Sequence, residues 1–133
     1  MDQATLVTEQ IKAGEEFVHD FDHALPVDVA FWLKPAEADG WYLYLASPDI
    51  DDGNKHEAYG EVVRRGWGRR SPWFDPLRVK LLNSSDPLAV KTREMRDRFP
   101  VKAAMRFGDT TIDGLAIDDA YIYPPLPCAT AAP

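Results

Sequence analysis

Cysteine is nearly absent from this chain, since Cys128 is the only thiol among its 133 residues. One cysteine cannot form a disulfide within the chain and cannot build a cysteine-based zinc site. This shortage is typical of proteins from a reducing compartment. The sequence also has no cationic segment followed by an apolar run at its start, and no stretch approaches about 18 consecutive apolar residues. We therefore expect a cytoplasmic protein that does not enter a membrane.

Histidine is scarce, and its spacing is unfavourable for metal binding. His19 and His23 are four residues apart and could meet on one helix face, but the H-E-x-x-H pattern is missing and His56 is the only other histidine. We interpret the pair as surface histidines at a helix end. The sequence also lacks a phosphate-binding glycine motif, a nucleophile elbow and a Cys/His pair.

The acidic loop over residues 48–54 has some features of a calcium loop. An EF-hand needs oxygen ligands at positions one, three and five and a glycine at position six. Placing Gly53 at position six puts Pro48 at one and Ile50 at three, so the pattern fails. We interpret the loop as a cap on the following helix, with adventitious cation binding as the alternative. Neither folding nor activity is expected to require a metal or an organic cofactor.

The remaining composition favours one folded domain. Hydrophobic residues make up 45% of the chain and aromatic residues 11%. A chain of this length buries roughly two thirds of its unfolded surface, which is enough for a core. We predict a single α+β domain over residues 1–123, followed by a Pro/Ala-rich tail over residues 124–133. Tails of that composition normally fray.

The apolar residues alternate between helical and strand periods along the chain. Helices are predicted over residues 5–25, 55–65 and about 86–99, and the second helix is expected to end at Gly66. Strands are predicted over residues 27–34, 41–46, 77–81, 101–107 and 115–123, with Leu77 on an apolar strand face. Gly108 and Asp109 should form one turn, leading into residues 110–112, and Asp113 and Gly114 a second turn or a bulge.

The fold class predicted from this pattern is α+β. The alternating strands and the short turns between them indicate a mostly antiparallel sheet of about five strands. Three helices should lie mainly on one face of that sheet, because each has a single apolar stripe to bury.

Four segments of the chain carry a resemblance to other sequences. They are FWL at 31–33, WYLYLASP at 41–48, SSDPLAV at 84–90 and GDTTIDGLAIDDAYIY at 108–123. Together they resemble small bacterial α+β proteins of uncharacterised function, over most of the chain. The resemblance implies a single domain. It transfers no functional residue and therefore implies nothing about catalysis or binding.

Charge is segregated along the sequence. Residues 1–57 contain thirteen acidic and three basic residues, whereas residues 58–106 contain twelve basic and five acidic ones. The rest of the chain adds four aspartates and no cation, which gives the net charge of −7. That net charge disfavours nonspecific binding to DNA or to anionic membranes. The basic block can face phosphate, a partner's carboxylates or the protein's own acidic part.

The most informative part of the basic block is the loop predicted over residues 64–74, where arginines bracket tryptophans. Arginine donors beside aromatic planes bind phosphates and bases, and they also dominate protein interfaces. The candidate binding residues are Arg64, Arg65, Trp67, Arg69, Arg70 and Trp73. The alternative is that Trp73 and Phe74 pack into the core while the arginines pair with the acidic first half. Arg93 and Arg96 alternate with acidic residues and are expected on a solvated helix face.

Aspartates are concentrated near the end of the domain. Asp109 and Asp113 adjoin glycines, as turn residues do. Asp118 and Asp119 lack that explanation, but adjacent strand residues point to opposite faces and can share an ion only at a bulge. We predict no catalytic and no metal-binding residue in this cluster.

The leading hypothesis is a non-catalytic interaction domain that uses the 64–74 loop to bind an anionic surface or, preferably, a protein partner. Nucleic acid could bind only through a local basic patch, and no membrane contact is expected. One alternative is a small metal-dependent hydrolase or nuclease that uses the carboxylates after Asp109. The other is an acidic inhibitor or immunity-type protein whose first half covers a partner's basic site.

Overall fold

The computed structural model describes residues 8–38, 40–69, 72–98 and 103–125, apart from the side chain of Arg69. Within these ranges the helices are α1 (Thr8–Phe21), α2 (Lys55–Arg69) and α3 (Pro87–Asp97). The strands are β1 (Val29–Pro35), β2 (Tyr42–Ser47), β3 (Val79–Asn83), β4 (Met105–Ile112) and β5 (Leu115–Ile122), and a 3₁₀ turn over Pro76–Arg78 precedes β3. The predicted α+β class is confirmed.

The five strands form one open sheet in the order β3-β2-β1-β5-β4. Neighbouring strands are antiparallel, except that β3 runs parallel to β2. The predicted β1-β2 hairpin is present, with Val29 opposite Ala46 and Leu33 opposite Tyr42. A parallel pair needs a crossover connection, and α2 supplies it between β2 and β3.

Both faces of the sheet are apolar, so helices are needed on each. On one face α1 and α2 cover Trp32, Leu43 and Leu45, which alternate along β1 and β2. On the other face Ala89 of α3 packs with Phe31 of β1 and with the inward residues of β4 and β5. Two of the three helices therefore share one face, and α3 occupies the opposite one.

Helix α1 is fixed to the sheet through Gly14. A Cβ atom at Gly14 would lie 2.5 Å from the hydroxyl oxygen of Tyr123 and 2.9 Å from the ring of Trp32, so only glycine fits at this point of the helix. The indole Nε1 of Trp32 donates to the Tyr123 hydroxyl at 2.9 Å, and that hydroxyl donates to the carbonyl of Ile11 at 2.5 Å. Phe17 and Phe21 complete the buried face of the helix.

The prediction that the second helix ends at Gly66 is wrong, because α2 continues through Gly66 and Gly68 to Arg69. Each glycine costs a helix about 1 kcal/mol relative to alanine. Gly66 nevertheless allows a close contact, since a Cβ there would lie 2.6 Å from the Cβ of Pro76 and 3.1 Å from the ring of Phe74. Tertiary packing therefore outweighs local propensity at this position.

The outer edge of β3 is partly covered by α2. The backbone N–H of Leu81 donates to the hydroxyl of Tyr59 at 2.9 Å. This hydrogen bond replaces the one that a further strand would make at the edge of the sheet.

Helix α3 begins as its sequence predicts. Asp86 is the N-cap, its carboxylate accepts the N–H of Leu88 at 3.0 Å, and Pro87 occupies the first turn. The part of the predicted third helix that extends beyond Arg98, which includes Phe99, lies outside the described part of the chain.

The prediction that Arg93 and Arg96 lie on a solvated face is wrong. Arg93 pairs with the carboxylate of Asp28 at 2.6 Å, and Arg96 donates to the backbone carbonyl of Asp28 at 2.8 Å. The side chain of Arg96 is only 9% exposed. Both arginines are drawn toward the protein because α3 packs against β1, whose first residue follows Asp28.

The turn predicted at Gly108 and Asp109 is also not formed. These residues lie inside β4, where Asp109 adopts a left-handed φ of 44° and the register to β5 is the same on either side of it. The hairpin closes at Asp113 and Gly114, whose φ angles of 52° and 80° are those of a two-residue type I′ turn. The second predicted turn is therefore confirmed.

Among the described helices, none combines the length and apolarity that crossing a bilayer requires. Most of the tail predicted over residues 124–133, and the start of the helix predicted from residue 5, fall outside the described ranges.

Candidate interaction surface

Three exposed apolar side chains lie where α2 ends and the chain returns to the sheet. Trp67 is 58% exposed, Trp73 46% and Leu77 70%. Among the described residues the only other exposed large hydrophobic side chain is Leu115, at 36%. We call the group Trp67, Trp73 and Leu77 the tryptophan surface. Large apolar groups concentrated in one exposed region are typical of an interaction site.

Buried neighbours hold this surface in place. Phe74 lies between Trp73 and the 3₁₀ turn and stacks on the ring of Phe17, with centroids 4.5 Å apart. Pro76 packs against Gly66, one residue before Trp67. Asp75 caps the turn by accepting the N–H of Leu77 at 2.9 Å. The exposed side chains are therefore carried on a backbone that the core fixes at both ends.

The sequence left two interpretations of Trp73 and Phe74, exposure at a binding site or packing into the core, and the structure gives a different answer for each residue. Trp73 is exposed, whereas Phe74 belongs to the core. The expectation that Leu77 starts a strand on its apolar face is wrong, because Leu77 lies in the 3₁₀ turn and is exposed. Asp75 and Pro76 indicate this turn in the sequence, because a capping residue followed by proline is typical of the start of a helical segment.

The arginines of the predicted site have different environments. Arg64 is exposed and hydrogen-bonds to Glu61. Arg65 pairs with Asp20 at 2.5 Å and with Glu61 at 3.0 Å, and thereby ties α2 to the end of α1. Arg69 lies in the last turn of α2, and Arg70 lies outside the described residues.

The two arginines stabilise the charged form of Glu61. Their hydrogen bonds, first from Arg64 and then from Arg65, lower the pKa of the Glu61 carboxyl. The same carboxylate is the largest cause of the raised pKa of Arg65. Glu61, Arg65 and Asp20 therefore form a network that contributes to the α1-α2 contact.

This network predicts a pH-dependent contribution to stability. Because the pKa of Glu61 is lower in the folded than in the unfolded chain, its ion pairs stabilise the fold above the unfolded value of about 4.3. That contribution is lost as the pH falls through the lowered folded pKa. We expect Glu61→Gln to reduce the melting temperature near neutral pH and to have little effect in strong acid.

The control for this measurement is Glu94→Gln, which removes one exposed carboxylate from α3. It should change the melting temperature less than Glu61→Gln at neutral pH. A Glu61→Gln deficit that stays constant from neutral pH into strong acid would contradict the ion-pair explanation.

A second feature, on the α3 face of the sheet, was missed by sequence reasoning. The guanidinium carbon of Arg78 lies 4.8 Å from the ring centroid of Tyr42, and the Lys80 ammonium lies 5.0 Å from the same centroid. Tyr42 and Lys80 belong to adjacent strands, so the sheet register creates this contact. We call these three residues the Tyr42 cation cluster. No local pattern could have indicated it, because Tyr42 is distant from both cations in sequence.

Two carboxylates near the end of the domain are paired with cations. Asp118 pairs with Lys34 at 3.0 Å, and Asp119 pairs with Arg106 at 3.1 Å. The β1-β5 register shifts beside them, because Lys34 lies opposite Asp119 whereas Pro35 lies opposite Ile117. In the described part of the chain, no group of three or more His, Cys, Asp or Glu side chains is arranged to hold a metal ion.

Two pockets lie away from the tryptophan surface. A small cavity of about 40 Å³ is lined by Glu15, Val18, His19, Val27, Asp28, Val29, Ala30, Arg96, Tyr123, Pro124 and Pro125. An open groove of about 230 Å³ is lined by Ala24, Leu25, Asn54, Glu57, Ala58 and Glu61. Both are smaller than the roughly 300–1,000 Å³ of typical small-molecule sites.

Comparisons with protein-family models, curated proteins and solved structures found no match to this chain.

Proposed function

We propose that this chain is an interaction domain that binds a protein partner through the tryptophan surface. The observation that carries the proposal is the exposure of Trp67, Trp73 and Leu77 within eleven residues of sequence. Exposing apolar surface to water costs a free energy of roughly 25 cal/mol per Å². A partner that covers these side chains would recover that free energy.

The residue types suit a protein interface. Tryptophan and arginine are enriched among the residues that dominate binding energy, and Trp67 stands near Arg64 on the last turns of α2. The supporting backbone is held by Phe74 and Pro76, which reduces the entropy lost on binding. A preorganised apolar surface with the exposed Arg64 beside it is consistent with the usual apolar centre and polar rim.

The alternative functions have less support from the geometry. The carboxylates Asp118 and Asp119 that a hydrolase or nuclease would use are each neutralised by a cation of the same chain. Two acidic residues of the first half, Asp20 and Asp28, are engaged with Arg65 and Arg93. An inhibitor that used these carboxylates would first have to break internal ion pairs.

Selection from a random peptide phage library tests the proposal. Peptides selected on the wild-type protein should bind the Trp67→Ala and Trp73→Ala variants at least about 10-fold more weakly, because truncating an interface tryptophan typically costs about 2 kcal/mol or more. Both variants should keep nearly the wild-type melting temperature, since the removed side chains are exposed.

Leu115→Ala is the matched control, because Leu115 is an exposed apolar residue outside the tryptophan surface. Its peptide affinities should equal those of the wild type. Selected peptides that bind the two tryptophan variants as tightly as the wild type would refute the proposal. A loss of several kcal/mol in stability from Trp67→Ala would instead make that residue part of the fold.

A further inference from the structure

Strand β4 forms one end of the sheet. The strand order β3-β2-β1-β5-β4 leaves one side of its eight residues without a neighbouring strand. Apart from its pairing with β5, β4 makes no backbone hydrogen bond to another described residue. The other end of the sheet differs, because the N–H of Leu81 in β3 already donates to Tyr59. The outer edge of β4 therefore presents backbone donors and acceptors to which a further strand can pair.

The composition of β4 leaves this edge open to pairing. Lysine and proline, which often protect an exposed edge strand, are absent from β4. The left-handed residue Asp109 does not end the strand, because the register to β5 is the same on either side of it. Met105 and Phe107 are half-buried on the α3 face of the sheet. A further strand would cover more of these two side chains and would pair the backbone groups beside them.

Two charged side chains of β4 can make additional contacts. Asp109 is exposed, and its carboxylate makes no ion pair or hydrogen bond within the described part of the chain. Arg106 donates to Asp119 from Nε and Nη2, at 3.4 and 3.1 Å, and its Nη1 has no acceptor among the described residues. The Arg106 side chain is 43% exposed. The edge therefore carries an available anion and an available donor three residues apart.

These opposite charges make the edge complementary to a second copy of itself. Two identical strands that pair antiparallel around a two-fold axis present the same residues in reverse order. An axis at Phe107 places Arg106 opposite Gly108 of the second copy. An axis at Gly108 instead places Arg106 opposite Thr110. Asp109 is next to both of these positions in the chain, so Arg106 can reach Asp109 of the second copy in either register, and the symmetry forms this contact twice.

We propose that two copies of this chain associate through β4, which pairs antiparallel with β4 of the second copy and joins the two sheets. Each copy carries a net charge of −7, but physiological salt screens charges separated by more than about 8 Å, so the contacts at the edge decide the association. Leu77 of the tryptophan surface lies in the turn that leads into β3, at the opposite end of the sheet. The dimer therefore presents two tryptophan surfaces, and a partner with two binding segments would bind it more tightly than one copy.

Sedimentation velocity of the wild-type protein over a series of concentrations tests this proposal. One pair of strands makes a small interface, so we expect a dissociation constant between about 1 μM and about 1 mM. The fraction of dimer should rise with concentration, without larger species. A protein that stays monomeric up to about 1 mM, or that forms larger species without a defined dimer, would overturn the proposal.

Gly108→Lys is the variant that tests the edge directly. A Cβ at Gly108 would meet only the carbonyl oxygen of Asp118, at 3.8 Å, so the monomer can accommodate the change. In the dimer two lysines would lie close to the two-fold axis and repel each other, and we expect dimerisation to weaken at least about 10-fold. Gly60→Lys is the matched control, because it adds the same side chain at an open position on α2, and its dimerisation should equal that of the wild type.

A second variant keeps the test valid if Gly108→Lys fails to fold. Asparagine tolerates the left-handed backbone of residue 109, so Asp109→Asn should remain folded. It removes both symmetric contacts with Arg106, each an exposed charge pair, and should weaken dimerisation by about 2- to 30-fold. A dimer as strong as that of the wild type in both variants would contradict the proposal.

Amide hydrogen exchange at low and high protein concentration locates the interface. Exchange over residues 105–112 should slow as the dimer forms, whereas exchange in β3 should not change. A dimer that is lost in Trp67→Ala and retained in Gly108→Lys would overturn the proposal and assign self-association to the tryptophan surface. Because peptide binding to that surface is measured on dilute monomer, the proposed function and the β4 dimer can fail independently.

Discussion

Gly66→Ala is expected to destabilise the protein by about 1 to 3 kcal/mol, the usual cost of forcing extra volume into a packed contact. The added Cβ would lie 2.6 Å from the Cβ of Pro76, and neither backbone nor proline ring can move away easily. The 3₁₀ turn that carries Leu77 must therefore shift. Denaturant unfolding of the variant measures the loss, and peptide affinity of the tryptophan surface should fall with it.

The same helix contains matched controls for this prediction. Apart from the helix's own backbone and the neighbouring residues in the chain, no atom of the described residues lies within 4 Å of where a Cβ would stand at Gly60 or Gly68. Alanine at Gly60 should raise the free energy of unfolding by up to about 1 kcal/mol, because it favours the helix and meets no neighbour. If Gly66→Ala also stabilised the protein, the close contact between α2 and Pro76 would be disproved.

Tyr123→Phe is expected to cost about 2 to 3 kcal/mol of stability. The hydroxyl of Tyr123 is the hydrogen-bond acceptor for the buried Trp32 indole and a donor to the carbonyl of Ile11. Removing it leaves the Trp32 N–H buried without a partner, a state that costs about 1 to 3 kcal/mol in addition to the lost bond to Ile11. Burial also raises the pKa of Tyr123, in agreement with an enclosed hydroxyl.

A double-mutant cycle measures the energetic cost of leaving the Trp32 indole N–H without its acceptor. In the Trp32→Phe background no indole N–H remains, so Tyr123→Phe should cost less than it does in the wild type. Equal costs in the two backgrounds would show that the Trp32-Tyr123 hydrogen bond does not contribute to stability. Urea unfolding of the four proteins provides all the required free energies.

Features of the fold that depend on local chemistry could be read from the sequence. The alternation on either side of residues 35–40 predicted the first hairpin, and Asp86 with Pro87 predicted the start of α3. Asp113 and Gly114 likewise have the residue types that a type I′ turn requires. In each case the determining interactions lie within a few residues of one another.

Features that depend on contacts between distant segments were not predictable. Gly66 looks like a helix terminator until Pro76 is known to lie against it. Arg96 looks solvated until β1 is placed beneath α3. The candidate site shows the same division, since the exposed tryptophans were named from composition whereas the contact of Lys80 with Tyr42 exists only because β2 and β3 pair in parallel.

The hydrogen bond from Leu81 to Tyr59 bears on how the protein behaves at high concentration. An open sheet whose edge strand has free backbone donors can recruit a strand from another molecule, which is the first step of ordered aggregation. At β3 one such donor is already occupied by a side chain of α2. An incoming strand would have to displace Tyr59 before it could pair there, so a single phenol group makes this end of the sheet a poorer template for self-association.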